Sequence, residues 1–148
     1  MKFNKVIKDF KAVGMKGYGA FSNFANDVPS LAQQVMLRSN EIQSQTGVEV
    51  AFFEPKKDEN HLEGQYYVGL IVPNPVKEVP VAMDYIETEQ HYVTTRGKIT
   101  RIGELHSSLL GWANEQGYKR DLDSYIVETY HPIEGGEEEV EIYLPICE

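Results

Sequence analysis

ANEQGYKRDLDSYIVETYHP, residues 113–132, and IQSQTGVEVAFFEP, residues 42–55, follow one plan: Gln-Gly or Gln-x-Gly at a helix end, then a β-branched and aromatic run closing on x-Pro. Glycine ends a helix because it accepts the left-handed conformation, and β-branched or aromatic side chains fit a pleated strand. An acidic loop and a further strand-like run follow each stretch. Read outward, both halves of the chain give the order strand, helix, strand, strand, so a single domain of residues 1–148 divides into pseudo-repeats of about 1–74 and 79–148.

The first strand is expected over Val6 to Phe21, where Gly14, Gly17 and Gly19 suggest that it bends and then leaves the sheet. NDVPSLAQQVMLRSNEIQSQTG predicts the first helix, with Asp27 as cap, Pro29 in the first turn, Gly47 as the stop, and Leu31, Ala32, Val35, Met36 and Ile42 as its apolar stripe. VEVAFFEP and QYYVGLIVP form a hairpin across KKDENHLEG, and the proline-rich NPVKEVP is a connector. VAMDYIETEQHYVTTRG supplies one or two strands. Ile99, Ile102, Leu105, Leu109 and Trp112 recur at helical spacing up to Gly117, and SYIVETYHP with EVEIYLPI makes a second hairpin. The expected fold is α+β: two strand-helix-strand-strand modules build a curved antiparallel sheet with both helices on one face and a ligand groove on the other.

Composition narrows the function. A net charge of −9 and a pI near 4.9 give nothing to phosphate backbones, so no nucleic-acid partner is expected. The longest apolar runs are far too short for a membrane-spanning helix, and no leader pattern follows the charged start, which together point to a cytoplasmic protein. The single cysteine, Cys147, cannot form an intrachain disulfide. The four histidines show no metal-ligand spacing, the early glycines spell no phosphate loop, and no serine sits in a nucleophile elbow. No metal and no cofactor are predicted.

Within SYIVETYHP, residues 124–132, alternation puts Ile126, Glu128 and Tyr130 on one face and Tyr125, Val127 and Thr129 on the other. Glu128 is either a solvated carboxylate on an open sheet face or the charged floor of a pocket. KAVGMKGYGAF, GQYYVGL, GWANEQGY, the triplet Glu128-Thr129-Tyr130 and the closing EVEIYLPI resemble, in order across nearly the whole chain, the GyrI-like small-molecule-binding family. That family is related to the effector-binding domains of bacterial multidrug-sensing transcription activators. The resemblance implies a groove for bulky lipophilic compounds, cationic ones among them, with an acidic residue at its centre that falls on Glu128. A second acid falls on Glu141. No DNA-binding helical segment precedes the domain, which suggests a free-standing member.

Tyr130, Tyr67, Trp112, Tyr143 and Tyr18 are the candidate groove rings, since aromatic faces attract cations and bury apolar area. Tyr66 and Tyr67 must point to opposite sides of a strand, and Tyr67 is taken for the groove. The expected function is drug or metabolite sensing or sequestration. The alternative, also implied by the resemblance, is hydrolysis of cyclopropanoid or other strained electrophiles, with Glu128 as the catalytic group and a groove tyrosine or Trp112 assisting. A third is protein-protein regulation, such as gyrase modulation, with no surface in the sequence that identifies a partner.

Overall fold

Each β-branched run becomes a strand and each apolar stripe a helix in the computed structural model, which describes residues 1–147. The elements are β1 (Asn4–Ala20), α1 (Phe24–Leu37), β2 (Glu49–Phe53), β3 (Glu63–Ile71), β4 (Asp84–Lys98), α2 (Ile102–Glu115), β5 (Ile126–Pro132) and β6 (Glu138–Pro145). Both helices are 14 residues long, and both are entered through a three-residue 3-10 turn, Phe21–Asn23 before α1 and Ile99–Arg101 before α2.

Helix α2 stops where the glycine predicts. Gly117 adopts φ 79°, its N–H donates to the Asn114 carbonyl at 3.1 Å, and the Tyr118 N–H donates to the Ala113 carbonyl at 3.0 Å. That pair of bonds is a Schellman motif. Helix α1 differs from expectation at both ends. It starts at Phe24, which leaves Asp27 inside the first turn, favourably placed for the helix dipole, rather than at the cap. It ends at Leu37, ahead of a 3-10 turn at Ser39–Glu41 that the fork between Arg38 and Glu41 (2.8 and 2.9 Å) holds in place. Ile42 still packs with Val35, so the stripe survives the break in the helix.

Strand β1 does not leave the sheet at its glycines. Asn4 to Gly14 pair with β4, and Ala12 to Ala20 pair with β3. All neighbouring strands are antiparallel, and the order β1-β3-β2-β5-β6-β4 closes on itself as a barrel. Its interior is filled with rings and branched chains. Phe10 lies edge-on to Phe52, Tyr92 and Tyr143 at centroid distances of 6.3, 5.7 and 5.0 Å, and Val50 and Val127 are fully buried beside them.

Closure corrects one expectation. The sheet face opposite the helices is this packed interior, so the groove is not there. The helices lie on the outside, α1 against β1 and β3, α2 against β4 and β6. A helix is about 10 Å wide and strands are about 4.8 Å apart, so each helix covers two strands. Between them lie β2 and β5, only partly covered by the edges of the helices.

Gly14 and Gly69 face each other where β1 passes from β4 to β3. A Cβ on Gly14 would lie 1.9 Å from the Val68 carbonyl oxygen and 2.5 Å from the Gly69 Cα, both backbone atoms that cannot swing aside. Gly14→Ala is expected to lower unfolding stability by about 2–3 kcal/mol in urea denaturation, whereas Gly111→Ala, on the open side of α2, should raise it by about 0.5–1 kcal/mol.

Candidate functional site in the cleft between the helices

The β2 and β5 strand pair contributes the floor of a cleft with a volume of about 630 Å³, through Glu49, Phe53, Ile126, Glu128 and Tyr130. Ala51 of β2 faces Glu128 of β5 in the middle of their five paired positions, with Glu49 opposite Tyr130 at one end and Phe53 opposite Ile126 at the other. Phe24, Val28 and Ala32 of α1 form one wall; Ile102 and His106 of α2, with Ile99 before it, form the other. The first wall is aromatic, with Phe24 at 5.1 Å from Phe21, 6.1 Å from Phe53 and 5.0 Å from Tyr66.

Glu128 is only 6% exposed, although it carries a carboxylate. Both its oxygens are engaged. The Tyr130 hydroxyl donates to Oε1 at 2.6 Å, and the His106 Nε2 lies 2.6 Å from Oε2. Burial, and then the neighbouring carboxylate of Glu128, push the Tyr130 hydroxyl well above the ordinary tyrosine value, so it stays a donor. Glu49 is raised above the ordinary carboxylate range by burial and then by the like charge of Glu138. Glu49, Glu54, Glu128 and Glu138 all line the cleft, against a single lysine, Lys56.

A second carboxylate and histidine meet at the rim. The Gln65 N–H donates to Glu54 Oε1 at 3.0 Å, and His61 Nε2 is 2.9 Å from Oε2. Because the Lys57 N–H donates to His61 Nδ1 at 3.0 Å, the proton of the neutral ring is on Nε2 and points at Glu54. This network ties down the loop after β2.

Of the residues singled out in the sequence, Glu128 and Tyr130 line the cleft together. Tyr67 and Tyr143 point into the barrel, because they sit on the interior side of their strands. Glu141 shares that side: it pairs with Thr129, whereas Glu128 pairs with Ile142, so the sheet separates the two acids. Its carboxylate faces Arg96 at 3.9 Å and His131 at 3.4 Å instead. Trp112 stacks on Phe3 at 5.5 Å, away from the cleft, and Tyr18 is 66% exposed. Tyr66, not Tyr67, is on the helix side of β3, packed under α1.

His106 was not among the expected site residues. It lies one helical turn after Ile102, on the edge of the stripe made by Leu105 and Leu109, and a polar side chain at that flank is the signal that marks it. Among the described residues no group of three or more His, Cys, Asp or Glu side chains is arranged to hold a metal ion, and no helix is long and apolar enough to cross a membrane.

The chain matches no protein-family model and no curated protein. Solved structures do match over nearly the whole of this chain. SAV2435 bound to tetraphenylphosphonium aligns with a TM-score of 0.69 at 11% identity, over 99% of this chain and 94% of that one. The chain has the GyrI-like fold. The EcmrR C-terminal domain aligns at TM-score 0.60 and 14% identity over 100% and 99% of the two chains. A hydrolase encoded by lin2189 from Listeria innocua aligns at 0.57 and 13% over 99% and 92%.

The raised Tyr130 value has a definite sign. The folded protein holds this proton more tightly than the unfolded chain, so the stability it contributes is present below the ordinary tyrosine pKa of about 10 and is lost as pH rises beyond it. Tyr130→Phe is expected to make the alkaline fall in stability shallower, measured by denaturation from pH 8 upward, with about one fewer phenolate in the ultraviolet titration.

Proposed function

We propose that the protein binds bulky lipophilic molecules, cationic ones above all, in the cleft between its helices, with Glu128 as the counter-charge. The observation that carries this is a carboxylate 6% exposed at the centre of an apolar and aromatic cleft. Burying a charge is costly unless it is paired and hydrogen-bonded. Tyr130 and His106 hold the carboxylate in place, and a cation over the floor adds the opposite charge in a setting of low dielectric. Phe21, Phe24 and Phe53 supply ring faces for such a cation and area for its hydrocarbon part. A neighbour of the same fold, SAV2435, was solved with tetraphenylphosphonium, a ligand of this class. Sensing or sequestration is the role that follows for a chain built as a binding cleft.

A second reading uses the same carboxylate. Glu128 with Tyr130 and His106 on its two oxygens has the parts for orienting and deprotonating a water against a strained electrophile, and a hydrolase is among the proteins that share the fold. Trp112, outside the cleft, has no part in it. Multiple turnovers with a cyclopropanoid substrate, lost in Glu128→Gln, would establish this reading; a single stoichiometric uptake would return the site to binding.

For the binding reading, tetraphenylphosphonium at about a hundred times its dissociation constant should stabilise the wild type by roughly 2.7 kcal/mol in thermal unfolding, and Glu128→Gln should lose most of that shift. Equal shifts in both proteins would remove Glu128 from the site. The Glu49 value adds a pH dependence. A bound cation favours ionised Glu49, so binding releases a proton and cation affinity falls as pH drops through the raised pKa; Glu49→Gln should flatten that part of the profile in calorimetric titrations.

A further inference from the structure

The repeat places counterparts side by side. Val28 and His106 are each the fifth residue of their helix, and Ala51 and Glu128 face each other across the central pair of β2 and β5. One half of the cleft is therefore apolar where the other carries a histidine and a carboxylate. At these matched positions the histidine and the carboxylate stand on one side only.

Within that centre the two partners of Glu128 differ in freedom. The Glu128 side chain keeps 8% of its surface and cannot leave the floor; the His106 side chain keeps 32% and projects from a wall. His106 stands 2.6 Å from Oε2 on the cleft side, where a ligand's positive group must approach. The other groups that line the cleft around this pair are Tyr130 of β5, Glu49 of β2, Glu54 and Lys56 just beyond β2, and Glu138 of β6. On α2 itself, Glu104 is engaged by Arg101 at 2.6 Å.

We infer that His106 is a built-in counter-ion that sets which ligand charge the cleft accepts. Protonated, it neutralises Glu128 and favours neutral lipophilic guests. Neutral, it leaves the carboxylate's charge to a cation. The inference rests on the proposed binding function and adds to it the residue that decides specificity. Histidine is suited to this because it changes charge between about pH 5 and 8, and a cation that displaces one proton gains affinity by up to about tenfold per pH unit.

The test is calorimetric titration from pH 5 to 8 with tetraphenylphosphonium, a permanent cation, and triphenylphosphine oxide, a neutral analogue. It is run in the Glu49→Gln background, so that Glu49 does not contribute. Cation affinity should climb steeply with pH while affinity for the neutral compound stays level or falls. Adding His106→Gln, whatever it does to the absolute affinity, should flatten the pH profile of cation binding. A slope that survives in His106→Gln, or no slope in its parent, overturns the inference and leaves the binding reading standing. Failure of both compounds at every pH contradicts the binding reading itself, and the inference with it. In the unsubstituted protein, nitrogen-15 spectra of the histidine rings taken across pH 5 to 8 should show His106 displaced toward its neutral form by saturating tetraphenylphosphonium; identical ring profiles with and without the cation would also overturn it.

Discussion

Two helices cannot cover the barrel they pack on. Each is wide enough for two strands, α1 sits mainly on β1 and β3, and α2 on β4 and β6, so the middle pair lies at the seam between them, only partly covered. The rest of the site depends on that shortfall. The floor belongs to β2 and β5, and its centre is the pairing of Ala51 with Glu128. Ala51 is fully buried beneath Val28 of α1, and the carboxylate opposite it lines the cleft and gives it a charge. The opposite sheet face contributes no site because closure fills it with Phe10, Phe52, Tyr92 and Tyr143.

A duplicated architecture becomes a specific site only where its halves differ. Val28 and Ala51 continue the apolar packing of α1 on its strands, whereas His106 and Glu128 interrupt it with two hydrogen-bonding groups. A buried carboxylate with unsatisfied oxygens would destabilise the fold, and here each oxygen has a partner at 2.6 Å. Tyr130 is placed for this by strand alternation, two residues from Glu128 on the same face. His106 reaches the carboxylate from another layer, so the pair also links α2 to the floor of the cleft.

Much of this was legible in the chain. The strand runs, both helices and the side assignment within SYIVETYHP follow from period-two and period-3.6 patterns, which local sequence carries directly. The apolar side of EVEIYLPI meets α2 as alternation requires, through Val140, Ile142 and Leu144. What alternation cannot say is which side of a sheet is the inside of a barrel. The choice of Tyr67 over Tyr66, and the grouping of Glu141 and Tyr143 with Glu128, both turned on that one unknown. Closure is decided by long-range pairing of β1 with β4, which leaves no local signature. His106 was missed for a related reason: a lone histidine beside an apolar stripe has no partner in sequence, since Glu128 lies 22 residues away on another element.

The position of a bound cation decides whether Glu128 is the counter-charge of the cleft. Tetraphenylarsonium carries an anomalous scatterer at the centre of its charge, so a crystal of the complex reports the position of that charge without reference to the shape of the ligand. The arsenic peak is expected between α1 and α2, over the floor of the cleft and closer to the Glu128 carboxylate than to any other acid. An arsenic peak on the outer surface, or over the Glu54 rim with the floor unoccupied, would contradict it.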